Sequence, residues 1–122
     1  MRAYLPKSFQ RKAKSEGVSD EDCREAIRRA ESGLIDANLG GRLIKQRIPR
    51  RGQGAARGLR AVVFYKRGEV AIFLHVFSKS AEANLTRSEL AEYKELVRGL
   101  EKLTETKLKE LGAEKGWREL EL

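Results

Sequence analysis

"LRAVVFYKRGEVAIFLHVF", residues 59–77, reads as two strands joined by a tight turn. Its first half is β-branched and aromatic, its second is almost continuously apolar, and "KRGE" between them supplies a polar turn with Gly68. Immediately upstream, "RLIKQRI" at 42–48 alternates in character and predicts a further strand. The connection between these strands, "PRRGQGAARG" at 49–58, is too rich in Arg and Gly for a tight turn and reads as an exposed loop. A basic loop therefore joins two neighbouring strands of a sheet, most simply an antiparallel pair.

Helices flank this sheet on both sides in sequence. Residues 1–5 suit a short first strand, which Pro6 closes because proline supplies no ladder donor. A helix is predicted from Ser8 to about Glu16, with Phe9 and Ala13 four apart and Gly17 as its stop. In "SDEDCREAIRRAESG", 19–33, Ser19 and Asp22 have capping-box spacing, acids fill the first turn, and Cys23, Ile27 and Ala30 share a face. This thin apolar stripe needs the broader sheet to pack on. Downstream, Thr86 and Glu89 repeat the capping-box spacing, and Leu90, Tyr93, Val97, Leu100 and Leu103 recur at helical intervals. The tail is read as a turn of helix to about Gly112, with a strand or a loose end carrying Trp117 left open. The expected class is α+β: a small, mostly antiparallel sheet with an N-terminal helical hairpin and a C-terminal helix.

A chain of 122 residues is expected to form a single domain, 1–122. The one cysteine, Cys23, excludes an internal disulfide and a cysteine cluster, and it reads as a small buried helix residue. The start "MRAYLPKSFQRKAK" lacks the apolar run of a signal peptide, and no stretch is long enough for a membrane span, so a cytoplasmic protein is expected.

Charge is the feature that points to function. The 26 basic and 18 acidic residues leave a formal net charge of +8, which favours a polyanionic partner. Residues 40–60 hold seven Lys or Arg, and no Asp or Glu occurs between Asp36 and Glu69. Strand alternation turns Lys45 and Arg47 the same way, Arg60 opens the next strand, and Arg50, Arg51 and Arg57 stand on the loop between. A solvated sheet face is the ordinary explanation of such residues. Yet six cations without a nearby carboxylate repel one another, which a bound polyanion relieves. Glycines 52, 54 and 58 would let backbone approach a phosphate closely. A nucleic acid is therefore the leading partner. No metal set is apparent, "GQGAARG" lacks the end of a P-loop, and the single histidine, His75, excludes a two-histidine ribonuclease mechanism. No cofactor is expected.

At these residues the sequence resembles a known group. "LGGRLIKQRIPRRGQGAARGLRAVVFYKRG" followed by "VAIFLHVFSKSAEANL" resembles the RelE/ParE toxin superfamily, specifically its HigB-like branch. The resemblance runs to about Leu103, is strongest over 39–85, and leaves 104–122 as an extension of unknown role. It implies a compact RelE-like fold and a metal-independent endoribonuclease that cuts messenger RNA in the ribosomal A site. It also implies a cognate helix-turn-helix-type antitoxin that holds the toxin inactive. In such toxins the ribose 2'-hydroxyl attacks the adjacent phosphate, leaving a cyclic phosphate and a free 5'-hydroxyl. By the resemblance, Lys45 is the general base or an electrostatic group, Arg47 and Arg60 hold the phosphorane, and Lys79 serves the leaving group or a phosphate. Arg50, Arg51 and Arg57 would guide RNA. Lysine can act as a base only if neighbouring cations lower its pKa, whereas arginine stays protonated.

Two departures from the pattern bear on the acid and base roles. Ser80 follows Lys79 where the better-studied members carry Arg, and no tyrosine appears after it until Tyr93. His75 shares strand parity with Phe77 and Lys79, which makes it a neighbour of the site as well as a packing residue. Phe77 and Tyr65 are open either to stacking on a base or to core packing. Two other functions compete: a ParE-like inhibitor of DNA gyrase, and a non-catalytic RNA- or ribosome-binding protein.

Overall fold

The computed structural model describes residues 1–48, 58–78 and 86–122. Chain order is β1 (Arg2–Leu5), α1 (Lys7–Glu16), α2 (Asp20–Glu31), β2 (Ala37–Gly40), β3 (Leu43–Ile48), β4 (Leu59–Lys66), β5 (Val70–Ser78), α3 (Arg87–Glu101), α4 (Glu105–Lys115) and β6 (Arg118–Leu120). The strands form one sheet in the order β2-β3-β4-β5-β1-β6. Every neighbouring pair is antiparallel except β1 with β5. The α+β class and the basic strand pair are as expected. Three elements add to them: β2 on one edge, a longer α4 that runs through Gly112, and β6, which pairs with β1 on the other edge.

The two faces of the sheet carry different cores. Ile44, Ala61, Val63, Ala71 and Phe73 meet Phe9 and Ala13 of α1 and Cys23, Ile27 and Ala30 of α2. Phe9 and Phe73 place their rings 5.2 Å apart in a tilted arrangement. Leu43, Val62, Phe64, Ile72 and Phe77 meet Val97 and Leu100 of α3 and Leu108 of α4. Cys23 is 2% exposed, and burial pushes its thiol up to about 12, which fits the packing role. No described helix is long and apolar enough to cross a membrane.

Local signals set the element ends. Ser19 accepts from the Asp22 N–H while the Asp22 side chain accepts from the Ser19 N–H, and Thr86 and Glu89 make the same reciprocal pair on α3. Gly17 ends α1 at φ +73°, a conformation glycine adopts without a Cβ clash.

Candidate active site

Register places the cations. The Tyr65 N–H donates to the Arg42 carbonyl at 2.9 Å, so Leu43, Lys45 and Arg47 are the members of β3 that do not exchange hydrogen bonds with β4. Their side chains stand in the closer kind of cross-strand pair. Arg47 is opposite Arg60, and Arg60 is opposite Phe77 on β5. One pair further along, Lys45 is opposite Val62, and Val62 is opposite His75. Lys45, Arg47, Arg60 and His75 thus share the face that carries α3. Two arginines directly opposed, with no carboxylate between them among the described residues of β3 and β4, repel at a cost of a few tenths to about 1 kcal/mol.

A bulge brings His75 to this face. The β4–β5 register shifts between Val62 and Val63, leaving Leu74 as the extra residue. Phe73 therefore packs against α1, whereas Leu74 packs with the α3-side core and His75 lies beyond the shift. Uninterrupted alternation would have put Phe73, His75 and Phe77 together. Phe77 is 2% exposed and its ring stacks on His75 with centroids 5.6 Å apart. Of the two readings left open for Phe77, core packing fits that burial. Tyr65 lies on the opposite face, where its hydroxyl donates to Glu31. Burial, and then the hydrogen bond to Glu31, push the Tyr65 pKa up, and the same bond holds Glu31 below the usual carboxylate range.

The sequence did not single out α3 as part of the site. Tyr93 lies with its ring centroid 5.9 Å from that of His75, so a phenol stands over this face although none follows "FSKS" directly in sequence. Glu89, at the start of α3, has its pKa held down chiefly by its hydrogen bonds at Thr86. Lys94 lies against the β2 end, where a Cβ on Gly40 would sit 3.7 Å from its Nζ. The stripe Leu90, Tyr93, Val97 locates the buried side of α3. What it lacks is the crossing of α3 over β3 and β5, which belongs to the tertiary fold.

Arg50, Arg51, Arg57 and Lys79 lie outside the described residues. The structure brings together Lys45, Arg47, Arg60, His75 and Phe77 of the expected set. Arg60 is half-buried, with Nη1 donating to the Leu59 carbonyl at 3.2 Å, while Arg47 is exposed. Among the described residues, no three His, Cys, Asp or Glu side chains converge as a metal ion would need. What the arrangement offers is positive charge: two guanidiniums in register, an ammonium one pair away, and an imidazole and a phenol across the strand.

This fold, with lysine and arginine side chains on the face of the sheet that carries its third helix, defines a class of small basic α+β proteins. The sequence matches the family described as "RelE toxin of RelE / RelB toxin-antitoxin system" over residues 1–120. The chain belongs to the RelE toxin family, and membership implies a toxin role and a cognate antitoxin. Among curated protein sequences none matches. The family match includes the tail beyond Leu103, in keeping with α4 and β6 completing the core and the sheet.

Proposed function

We propose that the chain is a single-domain, cytoplasmic toxin of the HigB-like branch that cleaves messenger RNA on the ribosome without a metal ion and is neutralised by a helix-turn-helix-type antitoxin. One observation carries this reading: Arg47 faces Arg60 across a strand pair, with Lys45 and His75 on the same face. Attack of a 2'-hydroxyl on the neighbouring phosphate builds a dianionic phosphorane from a monoanion. Opposed guanidiniums lower that barrier because their mutual repulsion falls as negative charge grows between them. As a free amine Lys45 takes the 2'-hydroxyl proton; as an ammonium it stabilises the forming alkoxide while solvent water takes the proton. The leaving 5'-oxygen takes one proton, from the ammonium of Lys79, the imidazolium form of His75 or the phenol of Tyr93. Arg50, Arg51 and Arg57 hold flanking phosphates, and Phe77 braces the His75 ring from the core.

The test is induction in a bacterial cell with mapping of messenger RNA 5' ends, for the wild type and for Lys45→Ala, Arg47→Ala and Arg60→Ala. New 5'-hydroxyl ends inside translated codons are expected. Each variant should lose about a hundredfold or more in cleavage, as removal of one oxyanion partner does elsewhere. Growth arrest with intact messages would favour gyrase inhibition or simple ribosome binding. In the latter case affinity alone would fall with salt, by a log–log slope of about 0.7 per phosphate on single strands.

A further inference from the structure

The sheet edge beside Arg47 is closed by side chains. Residues 43, 45 and 47 turn their backbone groups away from β4 and toward β2, and β2 starts only at Ala37, opposite Lys45. Continuing that register would set Ile35 opposite Arg47, but the chain bends at Asp36. The Arg47 N–H instead donates to Asp36 Oδ2 at 2.6 Å, and the Arg47 carbonyl accepts from Arg29 Nη2 on α2. Arg29 Nη1 also donates to the same Asp36 oxygen at 3.1 Å. One ion pair thereby does for Arg47 what a strand would do, satisfying both backbone groups on the open side.

The bend is itself anchored from within. Gln46, 1% exposed, accepts from the Asp36 N–H at 2.8 Å and donates to the carbonyls of Ala26 and Leu34 at 3.0 and 3.2 Å. A continuous path of hydrogen bonds runs from α2 through Gln46 and Asp36 to Arg47. Its end is the last stretch of β3 before the Arg-rich connection.

We infer that the Arg29–Asp36 pair is a positioning device for Arg47, holding the open edge of β3 so that its guanidinium stays opposite Arg60. This rests on the ribonuclease reading for its catalytic consequence, but the splint has its own readout. Without Asp36, the Arg47 peptide would hydrogen-bond to water and the strand end would fray, leaving Arg47 to search for the phosphate from a mobile backbone. Misplacement of a reacting-site group by about 1 Å is enough to cost up to a hundredfold. Arg29 and Asp36 meet Arg47 through its backbone groups, so any part they take in the reaction runs through its position.

Residue-resolved amide exchange and cleavage of messages on translating ribosomes test this on Asp36→Ala, Asp36→Asn and Arg29→Gln. In Asp36→Ala the Arg47 amide should exchange about tenfold faster or more, while the Val63 amide in the middle of β4 keeps its protection. Cleavage kcat should fall about tenfold or more with KM changed less than about threefold, because binding charge is retained. Asp36→Asn, which keeps an acceptor for the Arg47 N–H, should recover most of both. If Asp36→Ala does not fold, Arg29→Gln carries the test through the carbonyl side of the same splint. Unchanged Arg47 exchange overturns the inference, as does faster exchange with unchanged kcat, or loss of protection equally at Val63. A wild type that cuts no RNA removes the ribonuclease reading and the catalytic half of the inference, and the exchange result then decides the structural half.

Discussion

At the scale of single residues, function and stability pull apart at Arg60. It shares a row with Arg47, and the described residues of β3 and β4 include no carboxylate between them. Like charges in a cross-strand pair destabilise, and a β-branched residue suits the same position better. Arg60→Thr is therefore expected to raise unfolding stability by about 0.2–1 kcal/mol while abolishing cleavage. Urea unfolding beside a cleavage assay checks this, and a variant that is both less stable and inactive would mean that Arg60 holds the fold. Gln46 shows the opposite arrangement. It is buried among apolar neighbours, and its amide serves three backbone groups of α2 and the bend. In sequence it shares strand parity with Ile44 and Ile48, but the groups it satisfies are not legible there, because they come from residues 10 to 20 positions away.

At the scale of elements, the periodicity of the sequence carried most of the secondary structure. The apolar runs at 59–65 and 70–77, the turn at Gly68 and both capping boxes stand where spacing placed them. Those features depend on neighbours within a few residues. β2 was missed because "ANLG" has no alternation of its own and becomes a strand only by pairing with β3. The bulge at Leu74 was missed for a similar reason, since it exists only relative to β4. For the site, the basic residues of β3 and β4 were legible from charge and parity, whereas Tyr93 required the packing of α3 on the sheet. That packing starts at the Thr86 cap. Thr86→Ala removes the hydroxyl that accepts from the Glu89 N–H at 3.1 Å and should cost about 1 kcal/mol. Because α3 carries Tyr93 over His75, the same variant should broaden or shift the His75 ring resonances in NMR spectra while those of Phe9, on the far face, stay in place.

At the scale of the whole molecule, the two ends of the chain are tied together. β6 pairs with β1, and Leu120 is buried at 2% in the α1–α2 core. Arg118 grips Asp20 at the start of α2 through two bonds of 2.8 Å, and Arg2 donates to Glu105 at 2.7 Å and to Glu119 at 3.0 Å. The last residues thus fix α2, the helix that supplies Arg29 to the β3 edge. The Asp20 carboxyl is held below its ordinary value of 3.8 chiefly by the hydrogen bonds from Arg118. A depressed folded-state pKa contributes stability that is fully present above the unfolded value and is lost as pH falls through the folded one. The side chains of Arg118 and Asp20 are 48% and 41% exposed, so solvent screening keeps the pair's contribution to about 0.2–1 kcal/mol. Arg118→Gln should therefore be less stable than the wild type by about that amount at pH 7, and the gap should close as pH falls below 3.8. Urea midpoints of both proteins between neutral and strongly acid pH measure it. A gap that persists unchanged in acid would show that Arg118 acts by packing its stem against α2, with the ion pair contributing nothing.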